Sequence, residues 1–128
     1  MPIYIDMEVQ NKMKEVVTIK GVPVIDIYEG FDGSYWFITE HLYKQDSVID
    51  DMVYKDDQIL FGYVRLAACP ECAEWGNVSE TELKLLGSRI WKVPKKNWAV
   101  CPEIEVVNVP DDRGNNPRSL AGLAMGTL

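Results

Sequence analysis

Cys69-Pro70-Glu71-Cys72 is the most specific short motif in the chain. Two thiolates separated by two residues on a tight turn aim both sulfurs at one point, which suits a tetrahedral metal ion. Zinc takes four ligands. Cys101, followed by Pro102, supplies a third, and His41, or a carboxylate such as Glu74, a fourth. The pattern predicts a structural Cys3His zinc site of Cys69, Cys72, Cys101 and His41, within one chain or shared across a homodimer. The same pair is also a candidate redox dithiol. Redox pairs sit where a strand enters a helix N-terminus, which lowers the thiol pKa. Here Ala73-Glu74-Trp75-Gly76 does not read as a helix start, and Glu71 and Glu74 oppose thiolate formation by repulsion. The plain alternative is that small cysteines pack in the interior.

Other chemistries are thinner. His41 is the single histidine, which excludes an H-E-x-x-H zinc helix and a three-histidine zinc site. Glu40 beside His41 has the types of an acid–base pair, but neighbours on a strand face opposite sides. No G-x-S-x-G nucleophile turn is present, and Gly30-Phe31-Asp32-Gly33 lacks the spacing of a phosphate-cradling loop. A small thiol or metal-dependent enzyme is therefore the weakest of the functional readings.

Two segments carry charge. Residues 44–57 hold Asp46, Asp50, Asp51, Asp56 and Asp57 against Lys44 and Lys55, a local charge of five minus two, or −3. Asp50, Asp51, Asp56 and Asp57 are candidate partner-binding residues, because a row of carboxylates can imitate phosphates on a nucleic-acid-binding protein. Lys84, Arg89, Lys92, Lys95 and Lys96 form a basic run interleaved with Trp91 and Trp98. Phosphate contact with stacking is how single-stranded nucleic acid is held. The formal charge of −7 over 128 residues opposes that reading, and buried tryptophans with solvated lysines explain the run as well.

The elements that must position these residues read mostly as strands. Ile3-Tyr4-Ile5, Val16–Ile19, Val22–Tyr28, Tyr35–Thr39, Ile59–Val64, Ile90–Val93, Trp98–Cys101 and Ile104–Val107 are apolar or β-branched runs bounded by Gly, Pro or Asp. Asp32-Gly33 predicts a hairpin. Residues 44–57 read as a solvated hairpin loop or a short frayed helix. Ser79, followed by Glu82, Leu83, Leu85 and Leu86, has the pattern of a capping box, and Gly87 supplies a left-handed stop. The predicted helix covers residues 80–86. The expected core uses Ile25, Ile27, Trp36, Ile38, Leu60, Phe61, Val64, Leu83, Leu86, Trp91 and Val106. These features predict an α+β fold: a small single domain over residues 1–109, mainly antiparallel sheet with one short helix, and a flexible or docking tail over 110–128. The stretch from Ser119 to Leu128 is uncharged and too short to span a bilayer. No run of 18 apolar residues and no basic-then-apolar leader is found. With three cysteines, this predicts a cytoplasmic, reducing setting.

Three segments in order carry a resemblance: Tyr35-Trp36-Phe37-Ile38-Thr39-Glu40, Leu60-Phe61-Gly62-Tyr63-Val64, and Glu74-Trp75-Gly76-Asn77-Val78-Ser79-Glu80-Thr81-Glu82-Leu83. Together, over about residues 24–95, the chain resembles a family of small uncharacterised proteins of plasmids and mobile elements. That family shows an aromatic strand ending in T-E, an F-G strand and a G-x-x-S-x-x-E-L helix start. The cysteine pair, the acidic segment and the apolar tail depart from its pattern. The resemblance implies a compact α+β domain in a mobile-element context and transfers no catalytic residue. The combined expectation is a non-enzymatic accessory or interaction protein of phage, plasmid or prokaryotic origin, with a protein partner, no nucleic acid, no membrane, and zinc as a structural cofactor. The alternative is an acidic inhibitor that mimics nucleic acid on a host-defence protein, of anti-restriction or anti-CRISPR type.

Overall fold

The structure, a computed structural model of the chain, describes residues 13–110. The expected strand Ile3-Tyr4-Ile5 and nearly all of the expected tail lie outside the described residues. The chain divides into a unit of Val17–Glu105 and a second unit to which residues 13–16 and 106–110 belong. In the second, the described residues continue the extended strands β1 (Met13–Ile19) and β8 (Ile104–Pro110).

Period-two alternation sets the five-stranded sheet. Its strands are β3 (Asp26–Gly30), β4 (Tyr35–Ile49), β5 (Met52–Arg65), β6 (Glu74–Ser79) and β7 (Ile90–Lys92), in the order β6-β5-β4-β3-β7. Every pairing is antiparallel. Successive side chains point to opposite faces, and both faces are covered. On one, Ile27, Phe37 and Tyr63 pack with Ile19, Val24, Val93, Trp98 and Cys101. On the other, Tyr28, Ile38, Leu60 and Val78 pack with Leu83 and Ile90, flanked by half-buried Trp36, Val64 and Leu86. A three-stranded sheet, ordered β2-β1-β8 with β2 at Val22–Pro23, accompanies it. Lys20 and Gly21, both with positive φ, make the tight β1–β2 turn, and the Thr18 hydroxyl donates to the Glu105 carbonyl (3.0 Å).

Gly62 is required by close approach. A Cβ there would run into the Phe37 carbonyl oxygen, so only glycine lets β5 lie against β4 at this register. Glu29 ties three strands together. It accepts from the Tyr35 hydroxyl (2.5 Å) and from the Trp91 indole N–H (2.9 Å). That hydrogen bond, then burial, pushes the Tyr35 pKa up to about 12.

The helix α1 (Glu80–Leu85) is the one α-helix among the described residues and lies where the capping pattern put it. Ser79 is extended, and its hydroxyl accepts from the Glu82 N–H (3.1 Å). The Glu82 carboxylate does not complete the reciprocal bond. Gly87 turns left-handed, with φ of 60°. So short a helix is marginal in isolation, and Leu83, 3% exposed against the sheet, holds it.

The molecule is richer in sheet than expected. Trp98–Cys101 is not a strand: Lys95–Val100 forms 3-10 turns after Pro94, which buries Trp98 and lets its indole donate to the Val93 carbonyl (2.9 Å). Residues 44–57 contain neither a loop of that length nor a helix, because both strands of the β4–β5 hairpin run through them. Ile25, Trp91 and Val106 are exposed rather than core. Ile25 falls between β2 and β3, and Trp91 lies on β7, an edge strand. Their core places are taken by Phe37, Ile19, Tyr63 and Trp98.

Candidate functional site

The four expected zinc ligands do not converge. Cys69 and Cys72 are joined as a disulfide at a 3-10 turn, Pro70–Cys72, between β5 and β6. Cys101 is buried in the cluster under Trp98, its thiol directed at the Asn97 carbonyl (3.6 Å). Burial, then the Glu29 charge, pushes that thiol's pKa up. His41 is exposed on β4, opposite Leu60. Among the described residues, no group of three His, Cys, Asp or Glu side chains is placed to hold a metal ion.

The main feature of this region is instead a long, curled hairpin. β3 pairs with β4 only as far as Ile38, and β6 pairs with β5 only from Ile59 onward. Over Lys44–Ile49 and Met52–Gln58 the two strands pair with each other alone, forming an arm about 20 Å long by strand rise. At its tip Asp50 and Asp51 both have positive φ (51° and 66°), the geometry of a two-residue hairpin turn. Three register shifts, at Ile38/Glu40, His41/Tyr43 and Gln45/Ser47, interrupt the ladder. At the third, Asp56 has positive φ and its N–H donates to Asp46 Oδ1 (3.2 Å), while Lys55 pairs with Asp46 Oδ2 (3.4 Å). Bulges bend and twist a ribbon. The bend carries the tip back over α1, where Ile49 and Asp50 share with Leu85, Leu86 and Arg89 the wall of a cavity of about 510 Å³.

One buried carboxylate pins the arm to the body. Asp57 is 1% exposed. It accepts from Ser47 Oγ of β4 (2.7 Å), from Ser79 Oγ (2.6 Å) and from the Thr81 N–H at the start of α1 (2.9 Å). Burial alone would raise its pKa. The bonds from Ser79, Ser47 and Thr81 outweigh burial and bring it down to about 2. Asp57 thus takes an N–H of the first turn of α1 from outside the helix, alongside the Ser79 cap. Of the four acidic candidates, Asp50, Asp51 and Asp56 face solvent, and Asp57 is spent inside the fold.

The apolar side chains of the arm are the feature that sequence reasoning missed. Val48 is 71% exposed, Met52 and Val53 are each 59%, and Tyr43 is 51%. The signal was present as Val48-Ile49 and Met52-Val53-Tyr54 separated by two residues, the spacing of a tight hairpin. The surrounding aspartates hid it. The basic run, by contrast, is largely engaged. Lys84 pairs with Glu80 and Lys92 with Asp26, Arg89 donates to the Leu86 carbonyl, and Trp98 is buried. Among the described residues no helix is long and apolar enough to cross a membrane. Comparison with protein-family models, curated proteins and solved structures finds no match.

Proposed function

We propose that this chain is a non-enzymatic interaction protein, an accessory factor of the mobile-element kind its sequence resembles, which grips a protein partner with the β4–β5 arm. The observation that carries the reading is the exposure of Val48, Met52 and Val53 around an acidic turn. Val48 and Val53 are cross-strand partners on one face of the arm, with Met52 on the other, and exposed apolar side chains rimmed by polar ones are characteristic of protein–protein contact. Counting Glu40 and residues 44–57, the arm has six carboxylates and two lysines. Its partner is accordingly a protein surface with an apolar site bordered by lysine and arginine. The arm can meet such a surface without an ordering penalty on the scale of a disordered loop, because Asp57 already fixes it.

The test is a pair of variants. A photo-crosslinker at Thr39, below the arm, and another at Tyr43 are introduced into the full chain expressed in its host. The reading expects a discrete protein adduct from Tyr43, lost in Val48→Asp/Val53→Asp and diminished in Asp50→Asn/Asp51→Asn/Asp56→Asn. If the carboxylate variant abolishes the adduct while the apolar variant leaves it intact, the alternative of a nucleic-acid mimic takes its place. Equal adducts in all variants discard the arm as the contact.

A further inference from the structure

The Cys69–Cys72 pair plays no part in the arm, yet its surroundings are not those of a structural staple. A crosslink stabilises by removing loop-closure entropy from the unfolded chain, and the effect grows with the loop enclosed. This one encloses only Pro70 and Glu71, with a sequence separation of three. The turn is also held without it. The Cys72 N–H donates to the Cys69 carbonyl (2.9 Å) and the Ala73 N–H to the Pro70 carbonyl (3.3 Å). Backbone bonds therefore keep the two Cα atoms, 5.3 Å apart, poised for closure when the sulfurs are reduced. The two residues differ in exposure, Cys72 being exposed and Cys69 half-buried. Both line a pocket of about 300 Å³ whose other walls include Val64, Leu66 and Trp75. The third cysteine is no resolving partner, because Cys101 is buried in the core.

We propose that Cys69–Cys72 is a thiol–disulfide exchange site for a polypeptide thiol, with the apolar pocket seating the side chain beside the reacting cysteine. The incoming thiolate attacks Cys72 Sγ, the sulfur of the more exposed residue. A bond forms between the two, the Cys69–Cys72 bond breaks, and its electron pair leaves on Cys69 Sγ, which takes a proton from water. A second substrate thiolate then attacks the substrate sulfur of the mixed disulfide and releases Cys72 as thiolate. Two substrate thiols are oxidised to a disulfide, and the pair is reduced by two electrons. Glu71 and Glu74, both exposed beside the pair, repel anionic thiols such as glutathione and leave apolar or cationic thiol peptides favoured. The site is independent of the arm and of the partner proposed for it.

The experiment mixes the oxidised full chain with glutathione or with a Leu-Cys-Lys peptide at matched thiolate concentration, and follows opening by alkylation and mass spectrometry. The expected result is opening by the peptide about tenfold faster than by glutathione, with the trapped adduct on Cys72. Leu66→Asn, at a position 48% exposed, should narrow that ratio while leaving the thermal midpoint unchanged. In single-thiol variants, Cys69→Ser (free Cys72) should react with an oxidised peptide faster than Cys72→Ser (free Cys69). Equal rates for the two thiols, an adduct on Cys69, or purification of the pair as a dithiol with stoichiometric zinc would each overturn the assignment. Crosslinking by the arm is expected to persist in both cysteine variants, so the two proposals fail separately.

Discussion

At the scale of single residues, Asp57 decides how the arm meets the body. A buried carboxylate is tolerated only when its oxygens are satisfied, and here two hydroxyls and one backbone N–H do so. Asp57→Ala leaves three donors without their acceptor in a part-buried site and should destabilise the protein by about 2 kcal/mol in urea unfolding. Asp57→Asn, which keeps one acceptor, should do less. The charge also fixes a pH dependence. Its pKa lies near 2 in the folded chain against an ordinary 3.8, so the unfolded chain binds the proton first as pH falls. The stabilisation is complete above about pH 4 and is lost as pH drops through about 2. The gap is worth about 2 kcal/mol for a side chain this little exposed to screening. Unfolding midpoints measured between pH 5 and 2 should therefore decline in the wild-type chain more steeply than in Asp57→Asn. None of this was legible locally. Asp57 stands between Asp56 and Gln58 in what reads as a solvated run, and its donors come from ten and more residues away.

At the scale of elements, the β4–β5 hairpin serves two purposes with one pair of strands. Its lower half is the middle of the sheet and depends on Gly62. Gly62→Ala pushes a methyl group into the Phe37 carbonyl and should cost at least about 3 kcal/mol or prevent folding, as read by circular dichroism and denaturant titration. Apart from Asp57 and its partners, the upper half carries little of the fold's stability. Val48→Asp and Val53→Asp should leave the unfolding free energy within about 0.5 kcal/mol of wild type, while reducing partner affinity at least about tenfold in titration calorimetry once the partner is in hand. The sequence announced the lower half through Tyr35–Thr39 and Ile59–Val64 and concealed the upper half. Strands of 15 and 14 residues are far beyond the usual five or six, and aspartates are poor strand residues. Glu74–Ser79 escaped for a related reason. Gly76 and Asn77 argue against a strand, and pairing with β5, aided by Trp75 stacked on Phe61, overrides them. The short helix was legible because its signal is local, a cap at Ser79 and a stop at Gly87.

For the whole molecule, the −7 charge is unevenly placed, with carboxylates on the arm and lysines from Lys84 to Lys96. Association through the arm should slow as ionic strength rises from 0.05 to 0.5 M (about 14 to 4 Å of screening length). The slope should flatten in Asp50→Asn/Asp51→Asn/Asp56→Asn, and stopped-flow association rates measure both. The antiparallel, sheet-rich class was readable from the alternation of apolar runs, but the meeting of residues distant in sequence was not. The spacing of Cys69 and Cys72 suits two of four metal ligands, but spacing alone does not place Cys101 in the core or His41 on an exposed stretch of β4. The bulges in the arm have one more consequence. A long, regular free strand invites any other chain to extend it through backbone hydrogen bonds, whatever that chain's sequence. Three breaks in register and a left-handed Asp56 leave no uniform row of N–H and carbonyl groups for a visitor to follow. Recognition then falls to side chains, and a ribbon whose edges would otherwise accept any strand becomes one that discriminates.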